Sequence, residues 1–149
     1  STVHTNDAAG AITRLADMGI EPFLVASVLM VTFAQRLVRR VCTVCNESYE
    51  PTQTALAYWG LEAESDVRFR KPVGCDACRG SGYKGRCGIF EVLVVDEDIQ
   101  RMIVSRESSE RIVTHAREHS GMQILKEDAA LKVRHGITTP EEAISSVVV

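Results

Sequence analysis

The sequence predicts an α+β chain that is mainly α-helical, with a tetracysteine metal-binding lobe in its middle and a small β element. Three observations predict it. Helix-length segments bounded by capping residues occupy both ends. The run "IFEVLVV" has the composition of a strand. Two C-x2-C pairs, Cys42/Cys45 and Cys75/Cys78, bracket a polar central segment.

The elements follow in order. Asn6 or Asp7 suits the cap of a helix through "AAGAITRLADM", with Gly19 closing it. Ala8, Ile12, Leu15 and Met18 recur at helical spacing as its apolar face. After "IEP" a second helix is expected from about Phe23 to Arg39; its middle is apolar nearly all round, so it should be buried on several sides. Past the first cysteine pair, "PTQTALAYWG" reads as a short helix with Thr52 as cap and Gly60 as stop. "ESDVRFRKPVG" is polar and irregular, apart from an extended piece at "VRFR". The glycines of "RGSGYKGRCG" permit positive φ and tight turns ahead of the "IFEVLVV" strand. Four helical segments complete the chain. "DEDIQRMIVS" starts acidic, as a helix N-terminus favours, and "SSERIVTHAREHSG" runs from a Ser108 cap to Gly121. "MQILKEDAALKVRHG" ends at Gly136, and "TTPEEAISSVVV" has a Thr cap, Pro at the first helical position and two early glutamates.

Composition bounds the function. A chain of 149 residues can form one compact domain or two small lobes. A formal net charge of −3 does not advertise a nucleic-acid binder. The longest apolar stretch, "FLVASVLMVTFA", falls short of a membrane span. No signal-peptide pattern opens the chain, and "STVHTND" reads like the middle of a fold, so an excised piece of a longer protein is expected.

The cysteines carry the strongest signal. A two-residue gap lets both sulfurs of a pair point into one tetrahedral site, and two such knuckles complete a four-thiolate shell. Twenty-nine residues separate the pairs, longer than in common zinc patterns, but loop closure grows costly only slowly with length. Zinc or another tetrahedral metal is the favoured reading, because zinc takes four sulfurs without redox chemistry. A disulfide framework would strand the fifth cysteine, Cys87. A thioredoxin-like redox pair needs one C-x2-C at a helix start beside a strand. A rubredoxin-like iron site shares the spacing, but Asn46 and Arg79 stand where those proteins place glycine soon after each second cysteine. Residues 46–74 contain few large apolar side chains, so a metal tying their ends together would contribute directly to folding. Cys87 itself reads as a small strand-edge side chain.

The other polar residues are less informative. From Arg36 to Arg86 the net charge is +3, and the remainder carries −6. A locally basic metal lobe is one route to nucleic acid, although aromatic interleaving is sparse and an ordinary solvated surface explains it as well. His4, just before a helix cap, can touch a phosphate or simply satisfy a turn. His115 and His119 lie four apart on one helix face with no third ligand evident, and read as solvated. His135 suits the end of a helix. No P-loop of the form G-x-x-x-x-G-K-[ST] and no nucleophile–base constellation is present.

Taken in order, the motifs resemble a known family. "STVHTNDAAGAITRLADMGIEPFLVASVLMVTFAQRLVRRVC" is similar to the late part of the motor domain in type II secretion and type IV pilus assembly ATPases, and "VHTND" resembles their His box. The C-x2-C pairs resemble the tetracysteine zinc subdomain of the secretion and pilus-assembly branch, which the pilus-retraction branch generally lacks. "GYKGRCGIFEVL" and "GITTPEEA" resemble the family's C-terminal signatures. At Cys87 the chain departs from the family, which usually has Thr there.

The resemblance implies the tail of a RecA-like domain over residues 1–40, a metal-binding subdomain over 41–87 and a helical C-terminal subdomain over 88–149. It implies zinc at Cys42, Cys45, Cys75 and Cys78, and a nucleotide-proximal His4. ATP and magnesium would bind the full-length parent, a cytoplasmic homo-hexamer associated with the inner membrane through a platform and other components of the secretion or pilus machine, with no specific nucleic acid. Lacking a P-loop, the chain alone should be inactive. Two other readings stand beside this one: a stand-alone zinc ribbon contacting nucleic acid through Arg68, Arg70, Lys71, Lys84 and Arg86, and a rubredoxin-like electron carrier.

Overall fold

The computed structural model describes residues 1–62 and 67–147 and shows a mixed α+β chain. The described residues form two compact units, one from Ser1–Ala34 with Phe90–Ile124 and the other from Gln35–Ile89 with the residues from Leu125 onward. Residues 64–66 of the expected irregular segment, and the last two residues of the final expected helix, lie outside the described residues.

The first unit contains α1 (Gly10–Asp17), α2 (Pro22–Val28), α4 (Glu97–Val104) and α5 (Ser109–Ser120). It also holds the first residues of β1 (Val31–Val41) and the last of β4 (Tyr83–Val94), two strands that pair with each other. Its core joins Ile12, Val25, Leu93, Ile99, Ile103, Ile112 and Ala116, and α2 packs on α4. The caps are largely the expected ones. Asp7 Oδ1 accepts the Gly10 N–H at 2.6 Å, Asp96 accepts that of Ile99 at 2.8 Å, and Ser108 Oγ accepts that of Arg111 at 3.3 Å. Gly121 closes α5 at φ 65°, where a side chain would be strained.

The helix expected from Phe23 to Arg39 is corrected. Helix α2 ends at Val28, Leu29 turns extended, and Val31–Val41 is strand. An apolar run reads alike as a buried helix or a strand; here β-branched Val31, Thr32, Val38 and Val41 favour the pleat, and β4 supplies the hydrogen-bonding edge. Strand β4 is also longer than "IFEVLVV", starting at Tyr83.

The second unit adds β2 (Glu47–Tyr49), α3 (Gln53–Trp59), β3 (Phe69–Lys71), α6 (Leu125–Arg134) and α7 (Pro140–Val147). Thr52 caps α3 and Gly60 closes it in the left-handed region, both as expected. Strands β2 and β3 pair antiparallel in the register Glu47↔Lys71, Ser48↔Arg70 and Tyr49↔Phe69. Residues 46–74 hold more core than their composition suggests: Leu56, Trp59, Leu61 and Phe69 are buried, and α3 and β3 pack on α6, whose Val133 is fully buried.

The "GITTPEEA" stretch fastens α7 to β1. Thr139 Oγ1 accepts the Glu142 N–H, and Thr138 Oγ1 donates to Arg39 O at 2.9 Å. Arg39 donates through Nε and Nη2 to Glu142 Oε2 at 2.9 and 2.6 Å, while its guanidinium lies 4.2 Å from the Tyr83 ring centroid. The hydrogen bond from Arg39 holds the Glu142 carboxyl below its usual value. A depressed carboxyl contributes stability above the unfolded-state pKa and loses it as pH falls through the folded one. Glu142→Gln is therefore expected to lower stability by about 1 kcal/mol near neutral pH, a small effect because Arg39 is half exposed. The gap to wild type should close as pH is lowered through the carboxylate range, which melting curves at several pH values would read.

Candidate metal centre

Local structure builds two knuckles, and the β2–β3 pair brings them together. The first begins where β1 ends: Cys42 is followed by a turn to Cys45, and Asn46 Nδ2 donates to Cys42 O at 2.7 Å, stapling that turn. Cys45 leads directly into β2. The second knuckle follows β3, with Cys75 and Cys78 at the ends of a single 3-10 turn. Because Glu47 pairs with Lys71, the long intervening segment returns to its starting point.

Two glycines let backbone approach the sulfurs. Gly74 has φ 111°, and a Cβ there would stand 2.7 Å from Gly80 O. Gly82 has φ 74°, and a Cβ there would stand 2.5 Å from the Pro72 Cβ. Gly74 N–H donates to Cys45 Sγ at 3.2 Å; Cys75 and Gly82 N–H donate to Cys78 Sγ, each at 3.2 Å. Such donors favour thiolate over thiol.

None of the cysteines is in a disulfide, and the four sulfurs all lie within 4.8 Å of one another. Cys45 Sγ and Cys75 Sγ each stand 3.8 Å from Cys78 Sγ. A tetrahedron with Zn–S bonds of about 2.3 Å has S···S edges of about 3.8 Å, so the donor set fits zinc. The titration of the sulfurs is split. Burial pushes the Cys45 thiol up to about 11. Burial also opposes ionisation of Cys78, but the N–H groups of Cys75 and Gly82 outweigh it and draw that thiol down to about 6. The backbone N–H of Val44 lowers the Cys42 thiol. Four sulfurs this close cannot all be thiolates without a cation among them, which is the charge a divalent metal supplies.

The remaining predicted residues fall elsewhere. Cys87 is half-buried on β4 outside this cluster, and burial raises its thiol, in keeping with a strand side chain. His4 is exposed and belongs to the first unit, on the extended lead-in to α1. The rings of His115 and His119 stack at 4.3 Å. Here the fold adds what the spacing did not reveal, since Asp96 and Asp98 lie within 4.8 Å of His115. Asp96 is engaged as the cap of α4 and Asp98 is ion-paired with Arg101, so the group serves as the charged start of that helix.

Sequence reasoning missed two buried polar residues, Glu91 and Thr32, although a signal was present. In "IFEVLVV" the alternation places Glu91 in phase with buried Ile89 and Leu93, a core-facing position for a carboxylate.

The family profile described as Type II/IV secretion system protein matches residues 1–145. The chain is 47% identical to the type IV pilus assembly ATPase PilB of Thermus thermophilus over 150 residues, covering 99% of this chain and 17% of that protein. It is 42% identical to the type II secretion system protein E of Pseudomonas aeruginosa and 41% identical to the type II secretion system ATPase E of Vibrio cholerae, each over 144 residues, 97% of this chain and 28% of the relative. The chain thus spans between about a sixth and just over a quarter of these relatives' lengths. The matched region includes both cysteine pairs and both compact units, and on that evidence the chain belongs to the family of type II secretion and type IV pilus assembly ATPases.

Proposed function

We propose that the chain is the C-terminal portion of a cytoplasmic, hexameric ATPase that powers type II secretion or type IV pilus assembly, and that Cys42, Cys45, Cys75 and Cys78 hold a structural zinc. In this reading residues 1–40 end a RecA-like domain whose other parts bind ATP and magnesium. His4 lies beside the nucleotide, residues 41–87 form a rigid zinc lobe, and residues 88–149 form a helical subdomain. The zinc lobe is a contact element and not a reaction centre. It relays nucleotide-driven movement to neighbouring subunits or to the membrane platform of the machine.

One observation carries the reading: four thiols from two distant knuckles sit at zinc-like sulfur spacings inside a chain matched to this family almost end to end. Among the described residues no helix is long and apolar enough to cross a membrane, which accords with association through partners.

The test uses the full-length protein. Cys42→Ser combined with Cys78→Ser should remove zinc, measured by plasma mass spectrometry, and abolish secretion or piliation while ATP still binds. Normal export from a zinc-free protein would remove the lobe from the mechanism.

A further inference from the structure

We infer that Glu91, together with Thr32, is a positioning residue for the segment that carries His4. The inference rests on the nucleotide-proximal role proposed for His4, and adds the groups that hold that segment in place.

Glu91 is only 4% exposed and sits between Ile89 and Leu93 on the inward face of β4. A carboxylate at such a position is costly unless its oxygens are hydrogen-bonded, and packing alone would favour an apolar residue of similar volume. Its Oε1 accepts the N–H of Ala8 at 2.8 Å. From β1, Thr32, itself 8% exposed, donates its hydroxyl to Ala8 O at 2.9 Å. Both backbone polar groups of one residue are thus held by buried side chains from two strands. Ala8 is 1% exposed, so water cannot replace either partner. Its carbonyl also accepts the Ala11 N–H at 3.3 Å, whereas the acceptor for its own N–H is the Glu91 side chain.

Ala8 stands four positions after His4, and the residues between are stiffened. Thr5 Oγ1 donates to Asp7 O at 3.1 Å, and Asp7 Oδ1 accepts the Gly10 N–H. Fixing Ala8 therefore fixes the base from which the His4 loop projects. Any shift of the β1–β4 pair at Thr32 and Glu91 is passed to that loop through the Ala8 hydrogen bonds. Neither residue touches a nucleotide in this role; each acts through the position of the loop.

The experiment compares Glu91→Leu, Glu91→Gln, Thr32→Val and His4→Ala in the full-length ATPase. It reads kcat and KM for ATP, together with hydrogen exchange of the peptide covering residues 5–10. Glu91→Leu should lower kcat roughly 10- to 100-fold with KM changed by less than about threefold, because misplacement of a positioned group acts on the chemical step. Exchange should accelerate at residues 5–10 and not across α4 or α5. Glu91→Gln keeps an acceptor oxygen and should restore most of kcat, and Thr32→Val should fall between. If Glu91→Leu does not fold, Thr32→Val, which exchanges a hydroxyl for a methyl, decides the matter. Faster exchange with unchanged kcat, alongside a defective His4→Ala, overturns the positioning role and leaves His4 standing. Unchanged kcat in His4→Ala overturns the reading of His4 itself.

Discussion

Cys42→Ser is expected to drop zinc from about one ion per chain to near none and to unfold the lobe around it, with a cost set by the roughly 10–16 kcal/mol that structural zinc contributes in zinc-finger peptides. Cys42 is almost fully buried next to the end of β1, so in the proposed zinc site the variant would lose a ligand and leave the other three sulfurs without their cation. Amides of β2, β3 and the 3-10 turn should exchange orders of magnitude faster. The loosening should extend into α6, because β3 and α3 pack on it and Phe69 and Val133 belong to the same unit's core. Amides of Ile99 and Ile112, in the first unit, should keep their protection. Treatment of the wild type with a strong chelator should reproduce the pattern. Acid should do so as well, since the ligands must be thiolates. In the metal-free chain the lowered Cys78 thiol contributes stability above its unfolded value, and that contribution is lost as pH falls through about 6. Unaltered zinc content in Cys42→Ser would sink the clamp.

Ile99→Ala should give the complementary result. Ile99 is fully buried on α4, in the core shared with Val25, Ile103 and Ile112. Removing its outer carbons loses transfer free energy and leaves a cavity, which typically costs about 2–5 kcal/mol. The loss should appear in chemical denaturation of the first unit while zinc stays at about one per chain. Val104→Ala on the same helix, at a position 53% exposed, should cost less than about 0.5 kcal/mol. A similar loss from both variants would mean that α4 does not bury the face seen here.

Much of the local structure was legible in the sequence. Ser108, Thr52, Gly60 and Gly121 announce their helix ends because a cap is a contact across three or four residues, and the acidic start at Asp96 marks the beginning of α4. The two cysteine knuckles were legible for a similar reason, since a C-x2-C turn brings two sulfurs together whatever surrounds it. The second helix failed at Val31 because its apolar run satisfies two periodicities, and only the pairing with β4, some fifty residues onward, chooses between them. Residues 46–74 looked too polar to hold a core, because Leu56, Trp59, Leu61 and Phe69 are scattered in sequence and become a core only where α3 and β3 pack on α6.

By itself, then, the sequence determined the family, the two C-x2-C pairs and most of the helix ends. All of these depend on residue identity at short spacing. Tertiary structure decided that β1 is a strand, that the β2–β3 pair closes the two knuckles into one sulfur cluster, that Asp96 and Asp98 meet His115, and that Glu91 and Thr32 grip Ala8. Each of these joins groups that only the folded chain brings together, and for Glu91 and Thr32 the worth of the contact depends on burial that no short window of sequence contains.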